Sequence, residues 1–188
     1  MQRRTYNVPA ALPARIIGLW LLVLVLGGCA GPSLEDYQSG QPTLVPAQFF
    51  DGALTARGIV KNRSGQVIRT FDATIQGHWN AQGVGTLDEH FVFNDGEEQN
   101  RTWTLTPADK GYRATAGDVV EPGHMEWSGN AIHMNYVLRV PYNDGTLDVR
   151  MDDWMYQVTP GTVINQTRMS KWGLDVGELV LVIQKHNE

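Results

Sequence analysis

The sequence predicts an all-β protein whose strands close into an antiparallel up-and-down barrel of about eight to ten strands. A two-sheet β-sandwich is the alternative. Three observations predict this class. From about residue 50 onward, apolar residues recur with a period of two rather than 3.6. Short turn signals separate the alternating runs: Asn62-Arg63-Ser64-Gly65, Asn94-Asp95-Gly96, Asp109-Lys110-Gly111, Asn143-Asp144-Gly145 and Pro160-Gly161. No segment carries an apolar helical stripe bounded by caps. Connections this short suit antiparallel neighbours, because parallel pairing needs crossovers of about a dozen residues. Closing the sheet removes its exposed edges.

The elements follow in chain order. Arg3, Arg4 and Arg15 precede an apolar run, Ile16–Leu26. That run is too short to span about 30 Å of hydrocarbon, which takes about 20 apolar residues. It suits the core of a signal peptide, with small residues at the cleavage site. Leu26-Gly27-Gly28-Cys29 supplies them and holds the only cysteine of the chain. This is a lipobox: small residues let a peptidase reach the backbone, and the thiol accepts a diacylglyceryl group. The sequence therefore predicts removal of residues 1–28 and lipidation of Cys29. Ala30 after the cysteine, in place of aspartate, fits sorting to the outer membrane, facing the periplasm. More than one acyl chain makes such attachment stable.

Residues 29–48 are rich in Pro, Gly and Ser and read as an extended, flexible tether. The barrel domain is expected over 49–188, opening at Phe49-Phe50-Asp51-Gly52. Its strands are expected near 53–61, 66–78, 84–94, 99–106, 111–119, 123–128, 130–141, 146–158, 162–170 and 178–185. The cleanest apolar stripe is Ile132, Met134, Tyr136, Leu138 and Val140.

Without residues 1–28 the chain keeps 12 basic against 20 acidic residues, a net charge of −8. Such a surface excludes nucleic acid as a partner, because phosphate binding needs clustered Lys and Arg. Once Cys29 is lipidated no thiol remains, so packing rather than disulfides must hold the fold. The five histidines are scattered without a metal spacing, and no P-loop, nucleophile elbow or dinucleotide fingerprint is present. No cofactor and no metal are expected.

Polar residues break the apolar faces at a few positions. Arg69, Glu89 and Arg101 share faces with Phe71, Phe91 and Trp103. A loop at Asp95-Gly96-Glu97 would set Phe91 opposite Arg101 and Glu89 opposite Trp103, leaving Arg101 diagonal to Glu89. Inward charges are costly unless paired. Two readings follow: an ion pair or triad fixing strand register, or a polar spot in a ligand cavity where Arg holds a carboxylate or phosphate head. Asp152-Asp153-Trp154-Met155-Tyr156 is the densest local cluster. Adjacent strand residues face opposite ways, so Asp152 and Asp153 cannot easily share a metal or a proton. Tyr136 completes the set of candidate cavity or ion-pair residues.

Several motifs occur together: Phe49-Phe50-Asp51-Gly52, Leu87-Asp88-Glu89-His90-Phe91, Asp95-Gly96-Glu97 with Arg101 and Trp103, Gly117-Asp118-Val119, Asp152-Asp153-Trp154-Met155 and Met169-Ser170-Lys171-Trp172-Gly173. Their order and spacing over about residues 35–185 resemble a family of bacterial lipoproteins catalogued as domain of unknown function number 3833. The resemblance implies an envelope lipoprotein with a lipocalin-like barrel and a setting in fatty-acid chemistry. It transfers no reaction and no catalytic residue.

The leading expectation is a membrane-anchored protein that binds or carries a hydrophobic small molecule, such as a fatty acid or other lipid. A barrel of about eight strands is just wide enough for one ligand. A second reading is a non-catalytic structural or assembly lipoprotein that recognises an envelope protein through an exposed apolar patch. A third is an enzyme acting on a bound lipid, with Glu89 or an aspartate of the 152–153 pair as base.

Overall fold

The period-two alternation builds ten strands. The structure, a computed structural model, describes residues 31–142 and 144–186. The expected signal peptide and Cys29 lie outside the described residues. Ser33–Glu188 forms one compact unit. Its strands are β1 (Gly52–Asn62), β2 (Val67–Trp79), β3 (Gly85–Phe93), β4 (Glu98–Pro107), β5 (Tyr112–Thr115), β6 (Val119–Ser128), β7 (Ala131–Tyr142), β8 (Gly145–Thr159), β9 (Thr162–Lys171) and β10 (Leu174–Lys185). Each pairs antiparallel with its chain neighbours, and β1 pairs with β10 to close the barrel. The result is an up-and-down, lipocalin-like barrel.

Two boundaries differ from the sequence expectation. The fifth strand ends at Thr115, and the sixth begins at Val119 rather than near 123. Register shifts between Val119 and Glu121 and between Glu121 and His124 let β6 stay paired with β7 around Pro122, which has no N–H for the ladder.

The β3–β4 turn also differs, and this changes the site. The Phe93 N–H donates to the Glu97 carbonyl at 2.9 Å, and the Gly96 N–H to the Phe93 carbonyl at 2.9 Å. Gly96 sits at φ 85°, a conformation glycine adopts without a Cβ clash. The loop is therefore Asn94-Asp95-Gly96, one residue earlier than expected. Glu89 then pairs directly with Arg101, Leu87 with Trp103, and Phe91 with Gln99.

The inward faces change along the barrel axis. At the end holding the β2–β3, β6–β7 and β8–β9 turns, Leu54, Ile75, Leu105, Ile132, Val163 and Ile183 are buried. At the opposite end Val60, Phe93, Val140, Leu147, Met169 and Leu179 are only half-buried. The barrel is thus closed below and open above.

Residues 33–50 make the closure, which corrects the expectation of a free tether up to residue 48. A 3₁₀ turn (Leu34–Tyr37) and a short helix α1 (Pro46–Phe49) fold back across the closed end. Leu44 is 0% exposed, and Phe49 and Phe50 are 3% exposed. The Leu44 N–H donates to the Gly129 carbonyl at 2.8 Å, and Lys185 Nζ donates to the carbonyls of Gln48 and Asp51 at 2.7 Å. Pro, Gly and Ser set the composition of this strap, but its few large apolar residues bury enough surface to hold it down.

The strap's first turn rests on an outer aromatic patch. Tyr37 lies 5.7 Å from the Trp154 ring and 5.3 Å from the Tyr156 ring. His133 stacks on Trp154 at 4.2 Å. Tyr37→Ala is expected to cost about 1 kcal/mol, the scale of lost aromatic pairing. It should make residues 33–45 cleavable by protease before the barrel unfolds, which a limited-digestion time course would read.

Candidate functional site

Above the strap lies a cavity of about 100 Å³. Its lower wall is Phe50, Ile75, Leu105, Met125 and Met155, and its upper wall is Phe91, Leu179 and Leu181. A polar belt crosses the middle: Glu89 and Arg101 from β3 and β4 on one side, Tyr136, Asp153 and Asn165 from β7, β8 and β9 on the other. Met125, Met134 and Met155 are unbranched, so this wall can repack around a guest larger than the resting volume.

On the first side, Arg101 is held in a fork. Its Nε donates to both carboxylate oxygens of Asp118, at 3.1 and 3.0 Å, and its Nη2 to Asp118 Oδ2 at 2.8 Å. Nη1 stands 3.6 Å from Glu89 Oε2. The Glu89 and Arg101 side chains are 13% and 17% exposed. Glu89 Oε2 is buried and has no hydrogen-bond partner among the described residues. A buried carboxylate oxygen without a hydrogen bond, held only by an ion pair of this length, costs more than a hydrogen bond returns. Burial, opposed by the Arg101 charge, pushes the Glu89 carboxyl up to about 7.

On the second side, Asp153 accepts from Asn165 Nδ2, which also donates to the Trp154 carbonyl at 3.0 Å. The Tyr136 hydroxyl donates to Asp153 Oδ2 at 3.5 Å. Burial raises the Asp153 carboxyl to about 6, opposed by bonds from Asn165 and Thr167 and by the charge of His133 behind the wall. Burial and the Asp153 charge raise the Tyr136 phenol well above its usual range, so it stays a donor. The Trp103 ring meets Tyr136 edge-on at 5.2 Å and links the two sides.

The candidate residues divide between this cavity and other places. Glu89, Arg101, Trp103, Phe91, Tyr136 and Asp153 come together around it. Arg69 does not, contrary to the expectation of a triad. It sits at the mouth, 3.7 Å over the Phe93 ring, donating to Asp95 Oδ1 at 2.8 Å and to Glu97 Oε2 at 2.9 Å. It is near the end of its strand, where the inward face is already the rim. Phe71 is buried against Phe91 and Phe93. Asp152 and Trp154 lie on the outer side, where Asp152 meets His133 at 2.6 Å and Trp154 supports the strap.

Sequence reasoning misses Asp118, Asn165 and the methionines. Asn165 has a readable signal, since Val163, Asn165, Thr167 and Met169 share one face of β9, with Gln166, Arg168 and Ser170 on the other. Asp118 stands only within the Gly117-Asp118-Val119 motif, with no role assigned: it lies in a turn, where the alternation does not apply.

The site can do one thing well. It can shelter an apolar body while a few fixed groups engage one polar group. Glu89 can accept or, when protonated, donate; Tyr136 donates; Arg101 is already engaged. No group of three or more His, Cys, Asp or Glu residues suited to a metal occurs among the described residues.

Solved structures are similar to this barrel. The S-type phycobiliprotein lyase CPES of Guillardia theta is similar at 12% identity and a TM-score of 0.54, over 84% of this chain and all (100%) of that one. A redesigned β-barrel, mFAP1, bound to DFHBI, is similar at 12% identity and a TM-score of 0.42, over 74% of this chain and 97% of that one. No curated protein matches the chain. The family match spans residues 23–185, and the chain belongs to the family described as protein of unknown function DUF3833.

Proposed function

We propose that this protein is an envelope lipoprotein that holds a small amphipathic molecule inside its barrel. Cys29 carries the anchor, and the expected place is the outer membrane facing the periplasm. The ligand's apolar part lies among Phe91, Leu179, Leu181 and the methionines, and its polar group meets the belt. One observation carries the reading: a cavity of about 100 Å³ whose wall presents a buried carboxylate oxygen, Glu89 Oε2, without a hydrogen bond among the described residues. Solid cores rarely leave such an atom unmatched. The test is mass spectrometry of small molecules extracted from the purified chain lacking residues 1–29. A stoichiometric amphiphile is expected. An empty barrel that also fails to shift its tryptophan emission with any added amphiphile would overturn the reading.

A second reading has its own observation. Trp172 is 88% exposed, at φ 51° in the β9–β10 turn, and Tyr142 and Ile68 stand exposed near other turns of the open end. An apolar rim of this kind suits a protein partner of the envelope. Trp172→Ala should abolish capture of that partner while leaving ligand content unchanged.

A further inference from the structure

The charges around the cavity select the kind of polar group it takes. Among the described residues, Arg101 is the only basic one in the cavity wall. Its Nε and Nη2 are engaged by Asp118, and its remaining edge faces Glu89. An incoming anion would have to displace Glu89 from Nη1, the one nitrogen of the guanidinium that Asp118 does not hold. A third carboxylate, Asp153, stands across the cavity and accepts from the neutral groups of Asn165 and Tyr136. One cation therefore faces three carboxylates: Glu89, Asp118 and Asp153. Above about pH 7, where Glu89 and Asp153 are both ionised, a fatty-acid anion entering here would add a fourth negative charge in a poorly hydrated space, where like charges are strongly unfavourable.

We infer that the cavity recognises an amphiphile with a cationic head, such as a protonated amine, and rejects one with a carboxylate head. This rests on the cavity reading above and narrows its ligand class. The head would lie against Glu89 Oε2, an acceptor with no hydrogen bond among the described residues and only the 3.6 Å contact to Arg101 Nη1. Asp153 would face it from the opposite wall, and the tail would run up past Phe91 and Leu181 toward the mouth. On this inference Arg101 does not hold the ligand's head, unlike the reading in which arginine takes a carboxylate or phosphate.

The raised pKa of Glu89 gives the inference a pH signature. The charged and titratable groups facing Glu89 are Arg101 on β4, Asp118 before β6, Tyr136 on β7 and Asp153 on β8. In the empty barrel burial keeps Glu89 largely protonated below about 7. A bound cation favours the ionised form, so binding expels a proton below that pH. Affinity for a permanent cation must then rise with pH through this range. Affinity for a carboxylate must fall.

The test uses the barrel, Ser33–Glu188, whose sheet and strap are complete without the preceding residues. Octylamine, octanol and octanoate are titrated at pH 6 and pH 8, with tryptophan emission and calorimetry as readouts. Octylamine is expected to bind, tightening about five- to tenfold from pH 6 to 8 as Glu89 ionises. Octanoate at pH 8 is expected to bind at least about tenfold more weakly than octylamine. Glu89→Gln should weaken octylamine about tenfold and flatten its pH dependence. Asp153→Asn is the second variant, expected to weaken octylamine in the same direction. Octanoate binding at pH 8 as tightly as octylamine would overturn the inference and leave the cavity reading standing. So would octylamine affinity unchanged in both folded variants. Failure of all three probes, octanol included, would overturn the cavity reading itself and the inference with it.

Discussion

Gly77→Ala will unseat the strap from the closed end of the barrel. Gly77 lies on β2 where Phe50 crosses it, paired with Gly52 and Leu87 on the neighbouring strands. A Cβ at this position would overlap the Phe50 carbonyl oxygen, a backbone atom that cannot rotate away. Either β2 bulges or residues 44–50 lift off. Overpacking alone costs about 1–3 kcal/mol. Losing the burial of Leu44, Phe49 and Phe50 adds about 1.5–3 kcal/mol for each side chain released. A total loss of about 4 kcal/mol is expected, with partial release as the cheapest response. Phe50 also lines the cavity, so the variant opens a second entrance from below. Urea unfolding should show the lost stability, and an apolar dye should enter the variant far faster than the parent. A variant with unchanged urea midpoint and protease resistance would show that the strap does not close the barrel.

The strap also marks where the sequence stops being legible. The barrel is readable because alternation and turns agree: each predicted run ends at an Asn, Asp, Gly or Pro cluster, and the observed strands end within a few residues of those points. Glu89 and Arg101 are readable as exceptions to an apolar parity. Arg69 obeys the same parity but sits so near the mouth that its face is already wet. The β3–β4 register is off by one loop residue, because Asp95-Gly96-Glu97 and Asn94-Asp95-Gly96 both contain a glycine. Only the Phe93–Glu97 and Gly96–Phe93 hydrogen bonds decide which residue takes the left-handed position. The strap escapes notice because composition averages hide anchors. Leu44, Pro46, Phe49 and Phe50 are four residues in a polar stretch, yet each is buried. Asp118 escapes because a turn residue has no face until the chain is folded around it.

Glu89→Gln will flatten the upper part of the barrel's stability–pH curve. The folded carboxyl titrates at about 7 against an ordinary value of 4.5. Between those values the native state holds a proton that the unfolded chain has released, so stability falls as pH rises. The fall starts near 4.5, is complete just above 7, and amounts to about 3 kcal/mol at about 1.4 kcal/mol per pH unit. Glutamine cannot ionise, and Arg101 keeps its two-oxygen grip on Asp118 in the variant. Parent and variant should therefore unfold at similar urea concentrations near pH 5 and separate above pH 7, with the variant the more stable by up to about 3 kcal/mol. Asp153, raised to about 6, adds a similar decline between about 4 and 6 in both proteins and does not blur the difference above pH 7. A parent curve parallel to the variant's from pH 5 to 8 would mean that Glu89 carries no desolvation cost. Greater stability of the Glu89→Gln variant has a further consequence. The barrel forgoes that stability by keeping a carboxylate where an amide would serve packing better, which is the pattern of a binding group rather than of a register-fixing ion pair.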